Sequence, residues 1–158
     1  MGSGNGNTVR FGRGIYSPQP DISVGPYSLE EGIDLNEEYI SLYQQHKNFF
    51  DLCEKSHIEN CIAVTNSYFA KFDVGYNTNP RCFIAIEIER SGSSKHLLGD
   101  LVNAASLGKI GIVIAWNDEV LRKFMRILEY FAFLKETKRL PFASTNLLLM
   151  TSDQISQM

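Results

Sequence analysis

A pair of carboxylates inside an apolar stretch, "RCFIAIEIE", could do chemistry. Glu87 and Glu89 stand two positions apart. Because side chains in a β-strand alternate between its faces, both carboxylates point to the same side. Two negative charges side by side on an otherwise apolar strand have two explanations. Either they lie on a solvated face and are idle, or they perform a task such as holding a metal ion.

A hard cation such as Mg²⁺ or Mn²⁺ prefers oxygen ligands, and Mg²⁺ is commonly held by one or two carboxylates with waters and substrate phosphates. A site built on Glu87 needs a second acid from another segment, and the sequence offers two. Asp21 stands in "QPDISV", directly after a proline and before an alternating strand. Asp73 stands in "KFDVGY", 14 residues before Glu87 (87 − 73). A metal held there would activate a water and stabilise charge on a phosphate.

Strands that could position these acids are recognisable from their composition. "DISV" lies between proline and glycine turns, and "RCFIAIEIE" is rich in β-branched and aromatic residues. "IGIVIAW" is apolar throughout, as expected of a strand buried on both faces, and "TNLLLMT" forms a last strand. The segment "CIAVTNSYFAKFDVGY" is interpreted as a strand or a hairpin.

Three segments have helical spacing. The first runs from about Asn36 to Lys55, with Asp34 and Glu37 as a capping box. The second, "KHLLGDLVNAASLG", ends at a C-capping Gly108. The third runs from a capping Asn117 to about Thr137. The buried face of the second helix is expected to consist of Leu97, Leu98, Leu101, Val102 and Ala105.

The order strand, helix, strand over residues 81–116 predicts a right-handed crossover with two parallel strands. The fold class is therefore α/β, a single domain with a mixed central sheet flanked by helices. Open sheets of this kind bind their ligands at the carboxyl ends of the strands. Glu87 and Glu89 lie at that end of the first crossover strand.

Composition narrows the class of protein. With 158 residues, 44% of them hydrophobic and 21% charged, the chain fits one globular domain. We expect residues 1–9 to be a disordered arm and residues 10–158 to be the domain. Three cysteines without a CxxC spacing predict free thiols and a cytoplasmic location. No apolar run approaches the roughly 20 residues of a membrane span.

The Pro20-Asp21 pair, followed later by an acid-x-acid strand, a helix and a buried strand, resembles the PD-(D/E)XK nuclease superfamily, which includes restriction endonucleases. The resemblance covers roughly residues 21–116. It implies an α-β-β-β-α-β core and Mg²⁺-dependent cleavage of DNA phosphodiesters. Asp21 and Glu87 would be metal ligands, with Asp73 as the alternative to Asp21. Glu89 occupies the position of the usual lysine and would orient the attacking water or bind a second ion. The two motif halves are 66 residues apart (87 − 21).

Roles are also expected for residues outside the two motif halves. Lys95 is the candidate replacement for the missing lysine, where it would contact a phosphate or the attacking water. His96 is interpreted as a surface or capping residue. The aromatic residues of "EYFAFL", with Phe131 and Phe133, would suit a homodimer formed through the helix over residues 118–137. The alternative function is a nuclease-like binding or regulatory module without activity.

Overall fold

The structure is a computed structural model that describes residues 18–28, 34–69, 71–139 and 145–158; the predicted arm over residues 1–9 lies outside them. These residues form one α/β domain. Its strands are β1 (Ile22–Tyr27), β2 (Cys82–Glu89), β3 (Gly108–Ala115) and β4 (Leu147–Thr151). Its helices are α1 (Asn36–Gln45), α2 (Lys47–Thr65), α3 (Ser94–Leu107), α4 (Asp118–Glu136) and α5 (Ser152–Ser156).

The sheet is mixed and has the strand order β1-β2-β3-β4. Strand β1 pairs with β2 in the antiparallel direction, while β2, β3 and β4 run parallel. The parallel pairing of β2 and β3, with α3 between them in the chain, confirms that the two crossover strands are parallel. Every residue of β3 is buried, which confirms a strand covered on both faces.

Helices cover the two faces of the sheet, and strand alternation divides the core between them. On one face Val113 and Ala115 pack in a cluster with residues of α3 and α4. On the other face Ile112 and Ile114 pack with residues of α1 and α2. Glu87 is paired with Val113 and therefore faces α3 and α4. This placement makes α3 the helix that lies over the carboxylates of β2.

Helix α2 covers the outer edge of β4. The N–H of Leu149 donates a hydrogen bond to Nδ1 of His57 (3.1 Å), and Nδ2 of Asn60 donates to the carbonyl of Leu149 (3.0 Å). An edge strand presents unpaired backbone groups that can recruit another chain. Two side chains of α2 satisfy such groups here, and His57 accepts at Nδ1. Among the described strands, β1 is at the opposite edge of the sheet.

Two sequence predictions between β1 and β2 are wrong. The helix predicted over 36–55 is two helices that break at His46, and its N-cap is Leu35 rather than a capping box on Asp34. The predicted strand or hairpin that begins at Cys61 is instead the end of α2, followed by irregular chain over the described residues 66–81. A helical run of apolar residues is hard to distinguish from a strand when β-branched residues are frequent.

The observed burial of individual side chains also corrects predictions made from sequence. On α3, Leu98 and Val102 are 41% and 38% exposed, whereas both were expected in the buried face. On α4, Phe131 is buried in the core and Phe133 is 54% exposed, so only Phe133 of this pair is available to a partner. The three cysteines are buried and free, in agreement with the prediction of thiols. In the part of the chain described here, no helix is both apolar enough and long enough to span a bilayer.

Candidate active site at the carboxyl end of β2

Glu87 is a buried carboxylate near the carboxyl end of a central strand. It is 4% exposed, although its neighbours on the same face of the strand include the charged Glu89. Burial, the negative charge of Asp21 and the negative charge of Asp100 together raise the pKa of Glu87 to about 7. Two hydrogen bonds to Glu87 lower its pKa and so oppose this shift. One comes from the backbone N–H of Asp21 and the other from the side chain of Asn103. A carboxylate is costly in such a place unless a cation or a proton compensates it.

The antiparallel pairing of β1 with β2 brings Asp21 to Glu87. Ile22 is the register partner of Ile86, so Asp21 stands opposite Glu87 at the start of β1. The N–H of Asp21 donates to Oε2 of Glu87 (3.4 Å), and Oδ2 of Asp21 accepts from the N–H of Ile88 (2.8 Å). The two predicted ligands that are 66 residues apart in sequence are therefore neighbours in space.

Asp100 is a third carboxylate in this cluster, and the sequence reasoning missed it. It lies on α3, where burial, Glu89 and Asp21 raise its pKa to about 6, while His96 lowers it. The available signal was an acid flanked by the buried positions Leu97 and Leu101 of an amphipathic helix. That spacing places Asp100 at the border of the buried stripe, which faces the sheet.

Two oxygens of the cluster are buried and have no hydrogen-bond partner. They are Oε1 of Glu87 and Oδ2 of Asp100. Buried oxygens in proteins are nearly always paired, so an exception calls for an explanation such as a bound ion or water. Both oxygens belong to carboxylates whose pKa values are raised by the negative charge of Asp21. A cation at these positions would give each oxygen a partner and would reduce the repulsion among the three carboxylates.

Glu89 has a different role from Glu87. Its Oε1 accepts hydrogen bonds from the N–H groups of Arg90 (2.7 Å) and Ser91 (2.9 Å). Hydrogen bonds from Ser91 first, and then from Arg90 and Gly92, lower the pKa of Glu89 against the effect of burial. A Cβ at Gly92 would lie 2.5 Å from Oε2 of Glu89, so a glycine lets the loop close tightly on the carboxylate. Glu89 thus fixes the loop between β2 and α3.

The two basic residues at the start of α3 differ in their electrostatic relation to the cluster. Lys95 is exposed and takes part in none of the ion pairs found among the described residues. His96, interpreted from sequence as a surface or capping residue, is also exposed, yet its charge acts on both Glu89 and Asp100. The structure therefore brings His96 rather than Lys95 into electrostatic contact with the acids.

Asp73 lies at the other end of the sheet. Its N–H donates to the carbonyl of Thr145 (2.7 Å), which precedes β4, and its Oδ1 accepts from Gly75 (2.8 Å). Its charge acts on Lys109, the second residue of β3. Glu87 pairs four positions further along β3, at Val113, which is roughly 13 Å away at the rise of a strand. Of the two alternatives, Asp21 is the one that the fold brings to Glu87.

The residues of the site suit a Mg²⁺ ion that keeps several of its waters better than an ion whose ligands all come from the protein. Across the described ranges, no group of three or more His, Cys, Asp or Glu side chains is arranged to hold a metal ion. Mg²⁺ does not need such a group, because it usually keeps several waters and takes one or two carboxylates together with substrate phosphates. The unpaired Oε1 of Glu87 and the neighbouring carboxylate of Asp21 supply that pair.

Comparisons with protein-family models, with curated proteins and with solved structures find no match to this chain.

Proposed function

We propose that this protein is a Mg²⁺- or Mn²⁺-dependent nuclease that cleaves DNA phosphodiesters. The observation that carries the proposal is the buried Glu87, with one oxygen unpaired, between the carboxylates of Asp21 and Asp100 at the carboxyl end of a central strand. Parallel strands of open α/β sheets end at ligand sites. Two neighbouring carboxylates, with a third acid on the adjacent helix and no ion pair to any of them among the described residues, suit a cation-dependent reaction on an anion.

Each acid has a distinct part in the proposed site. Glu87 and Asp21 would hold the cation, since the hydrogen bond from the Asp21 backbone keeps Asp21 next to the Glu87 carboxylate, and the Asp21 carboxylate binds the N–H of the following residue, Ile88. Asp100 faces them from α3 and would bind a water of the cation shell through its unpaired Oδ2. A cation bound there would activate water and offset the charge of the phosphate. Glu89 would act indirectly, by holding the loop that leads to α3.

Positive groups near the acids would receive the phosphate. Helix α3 begins at Ser94, five residues after the end of β2, and its N-cap Ser93 makes no side-chain capping bond. The N–H groups of a first helical turn favour anions. Lys95 and His96 lie in this turn and are exposed. Lys95 is free to contact a phosphate as a point charge, which is the role that its position in the sequence suggested.

The restriction endonuclease-like core is part of this proposal. The order β2-α3-β3 and the placement of Asp21 beside Glu87 support it. The two helices between β1 and β2 depart from the α-β-β-β-α-β order, and Glu89 departs from the usual lysine. We further propose that the protein works in the cytoplasm, as its free thiols favour, and as a homodimer through the 118–137 helix, on which Tyr130 and Phe133 are exposed.

One observation favours the alternative, an inactive module that binds DNA or regulates a larger assembly. Oδ2 of Asp21 and Oε1 of Glu89 are both committed to backbone N–H groups. Such bonds are also what purely structural carboxylates make at the end of a sheet. Cation dependence separates the two functions, because a structural cluster has no need of a metal.

The purified chain should nick or cut plasmid DNA with Mg²⁺ or Mn²⁺ and not with Ca²⁺ or a chelator. Ca²⁺ has a looser and larger coordination shell, so it would occupy the acids without holding water and phosphate in line. Agarose-gel assays of supercoiled DNA with each cation measure this. Cleavage that persists in chelator would contradict the metal-dependent function, and absence of cleavage at any protein concentration with every cation would favour the binding module.

A further inference from the structure

Just beyond the carboxyl ends of β2 and β3, an exposed tryptophan and an arginine form a cation–π pair. Trp116 follows β3, and Arg90 follows the neighbouring strand β2, so both stand at the same end of the sheet. Cζ of Arg90 lies 4.2 Å from the centroid of the Trp116 ring. Trp116 is 48% exposed and Arg90 is exposed as well. The pair is about 10 Å along the strand from Glu87, at three residues of strand rise.

Hydrogen bonds fix the backbone around this pair, while Trp116 and Arg90 themselves are exposed to solvent. The N–H of Trp116 donates to the carbonyl of Glu89 (2.9 Å), and the Trp116 carbonyl accepts from Oγ of Ser152 (3.2 Å). Asn117 Nδ2 donates to the carbonyl of Arg90 (3.5 Å). The indole belongs to none of the described core clusters. A platform is thus held rigidly in position without being needed to fill the core.

We propose that Arg90 and Trp116 form a stacking platform for an unpaired base of a DNA strand next to the scissile phosphate. This inference rests on the proposed nuclease function and names its substrate as single-stranded or locally unpaired DNA. An indole face binds any base by stacking, and an arginine adds a positive charge for the adjoining phosphate. A base inside a duplex already has both faces stacked, so only an unpaired base can use the ring.

The positive charge of Arg90 can offset the repulsion between the acidic cluster and a phosphate. Asp21, Glu87 and Asp100 repel a phosphate when no cation is bound, and Arg90 offers an attractive contact three residues beyond Glu87. A DNA strand bound there would be held at the same end of the sheet as the acids, about 10 Å beyond Glu87. Stacking does not depend on base identity, so the platform confers preference for strand state and not for sequence.

Fluorescence tests the platform directly, because Trp116 is the single tryptophan of the sequence. A short oligothymidine and a blunt duplex of the same length are titrated into the full chain in chelator. The oligothymidine should quench the tryptophan emission to saturation, and the duplex should quench it much less. In anisotropy titrations with labelled oligothymidine, Trp116→Ala should weaken binding about tenfold, while Trp116→Phe keeps most of it.

A control for charge makes the same arginine-to-glutamine change at two exposed positions, one in the platform and one on α4. Arg90→Gln should weaken oligothymidine binding more than Arg126→Gln, which removes an exposed arginine of α4. Binding without quenching, no binding of oligothymidine, or unchanged affinity in Trp116→Ala would each overturn the platform. The wild-type quenching result needs no variant, so a poorly folded variant cannot obscure it.

The same preparations separate the platform from the nuclease function. Quenching by single strands without cleavage in Mg²⁺ or Mn²⁺ would remove the nuclease and keep the platform. Cleavage in Mg²⁺ with no quenching would remove the platform and keep the nuclease.

Discussion

Glu87→Gln should reduce Mg²⁺-dependent DNA cleavage by about 100-fold or more. The estimate follows from residues that only orient metal ligands, whose loss typically costs 10–100-fold, so loss of a direct ligand should cost at least as much. The substitution keeps the size of the side chain and removes a charge from a buried acidic cluster. The fold should therefore survive. Initial rates of plasmid nicking at saturating DNA measure the change.

The matched control is Glu129→Gln, which makes the same chemical change at an exposed position of α4. It should cleave at the wild-type rate. DNA binding at low salt should be retained by both variants, because the phosphate contacts assigned to Lys95 and Arg90 are unaffected. A Glu87→Gln protein that cuts as fast as the control would show that the carboxylate has no part in the reaction.

The metal-free protein should lose stability as the pH rises from 4.5 to 7, and Glu87→Gln should abolish most of this loss. The folded state holds a proton on Glu87 with a pKa of about 7, whereas the ordinary value is 4.5. The folded state thus binds this proton more tightly than the unfolded chain. The resulting contribution to stability is complete below pH 4.5 and is lost as the pH rises through 7. Its size is roughly 3 kcal/mol.

Thermal unfolding in chelator across this pH range measures the effect as a difference between wild type and Glu87→Gln. At pH 8 the variant should melt roughly 6–12 °C higher, and the two curves should converge below pH 4.5. Asp100→Asn should act in the same direction, because burial and its acidic neighbours raise the pKa of Asp100 to about 6. Equal melting temperatures at pH 8 would mean that Glu87 is compensated in some other way.

The framework of the site was predictable from sequence because it depends on local patterns. "IGIVIAW" has the continuous apolar content of a strand covered on both faces, and β3 is buried throughout. The side chain of Asn117 accepts from the N–H of Val120 at the start of α4, as a capping residue should. The parallel pairing of β2 and β3 followed from the helix between them and the handedness of such crossovers.

The remaining features depend on contacts between distant segments, which local patterns do not encode. The Pro20-Asp21 pair favoured Asp21 and the shorter spacing favoured Asp73; only the antiparallel register of β1 decides between them, and it brings Asp21 to Glu87. Asp100 looked like an ordinary polar position until α3 was placed over β2. The chemical role of Glu89 depended on the conformation of the following loop, whose N–H groups bind its carboxylate.

Titration calorimetry with Mn²⁺ and Mg²⁺ tests the central claim, that the acids around Glu87 hold a divalent cation. The metal-free wild type and the Glu129→Gln control should each bind one cation per chain above pH 7, where the carboxylates are ionised. The Glu87→Gln variant should give no binding heat at the same concentrations. Identical binding curves for wild type and Glu87→Gln, or no binding to the wild type with either cation, would contradict the claim.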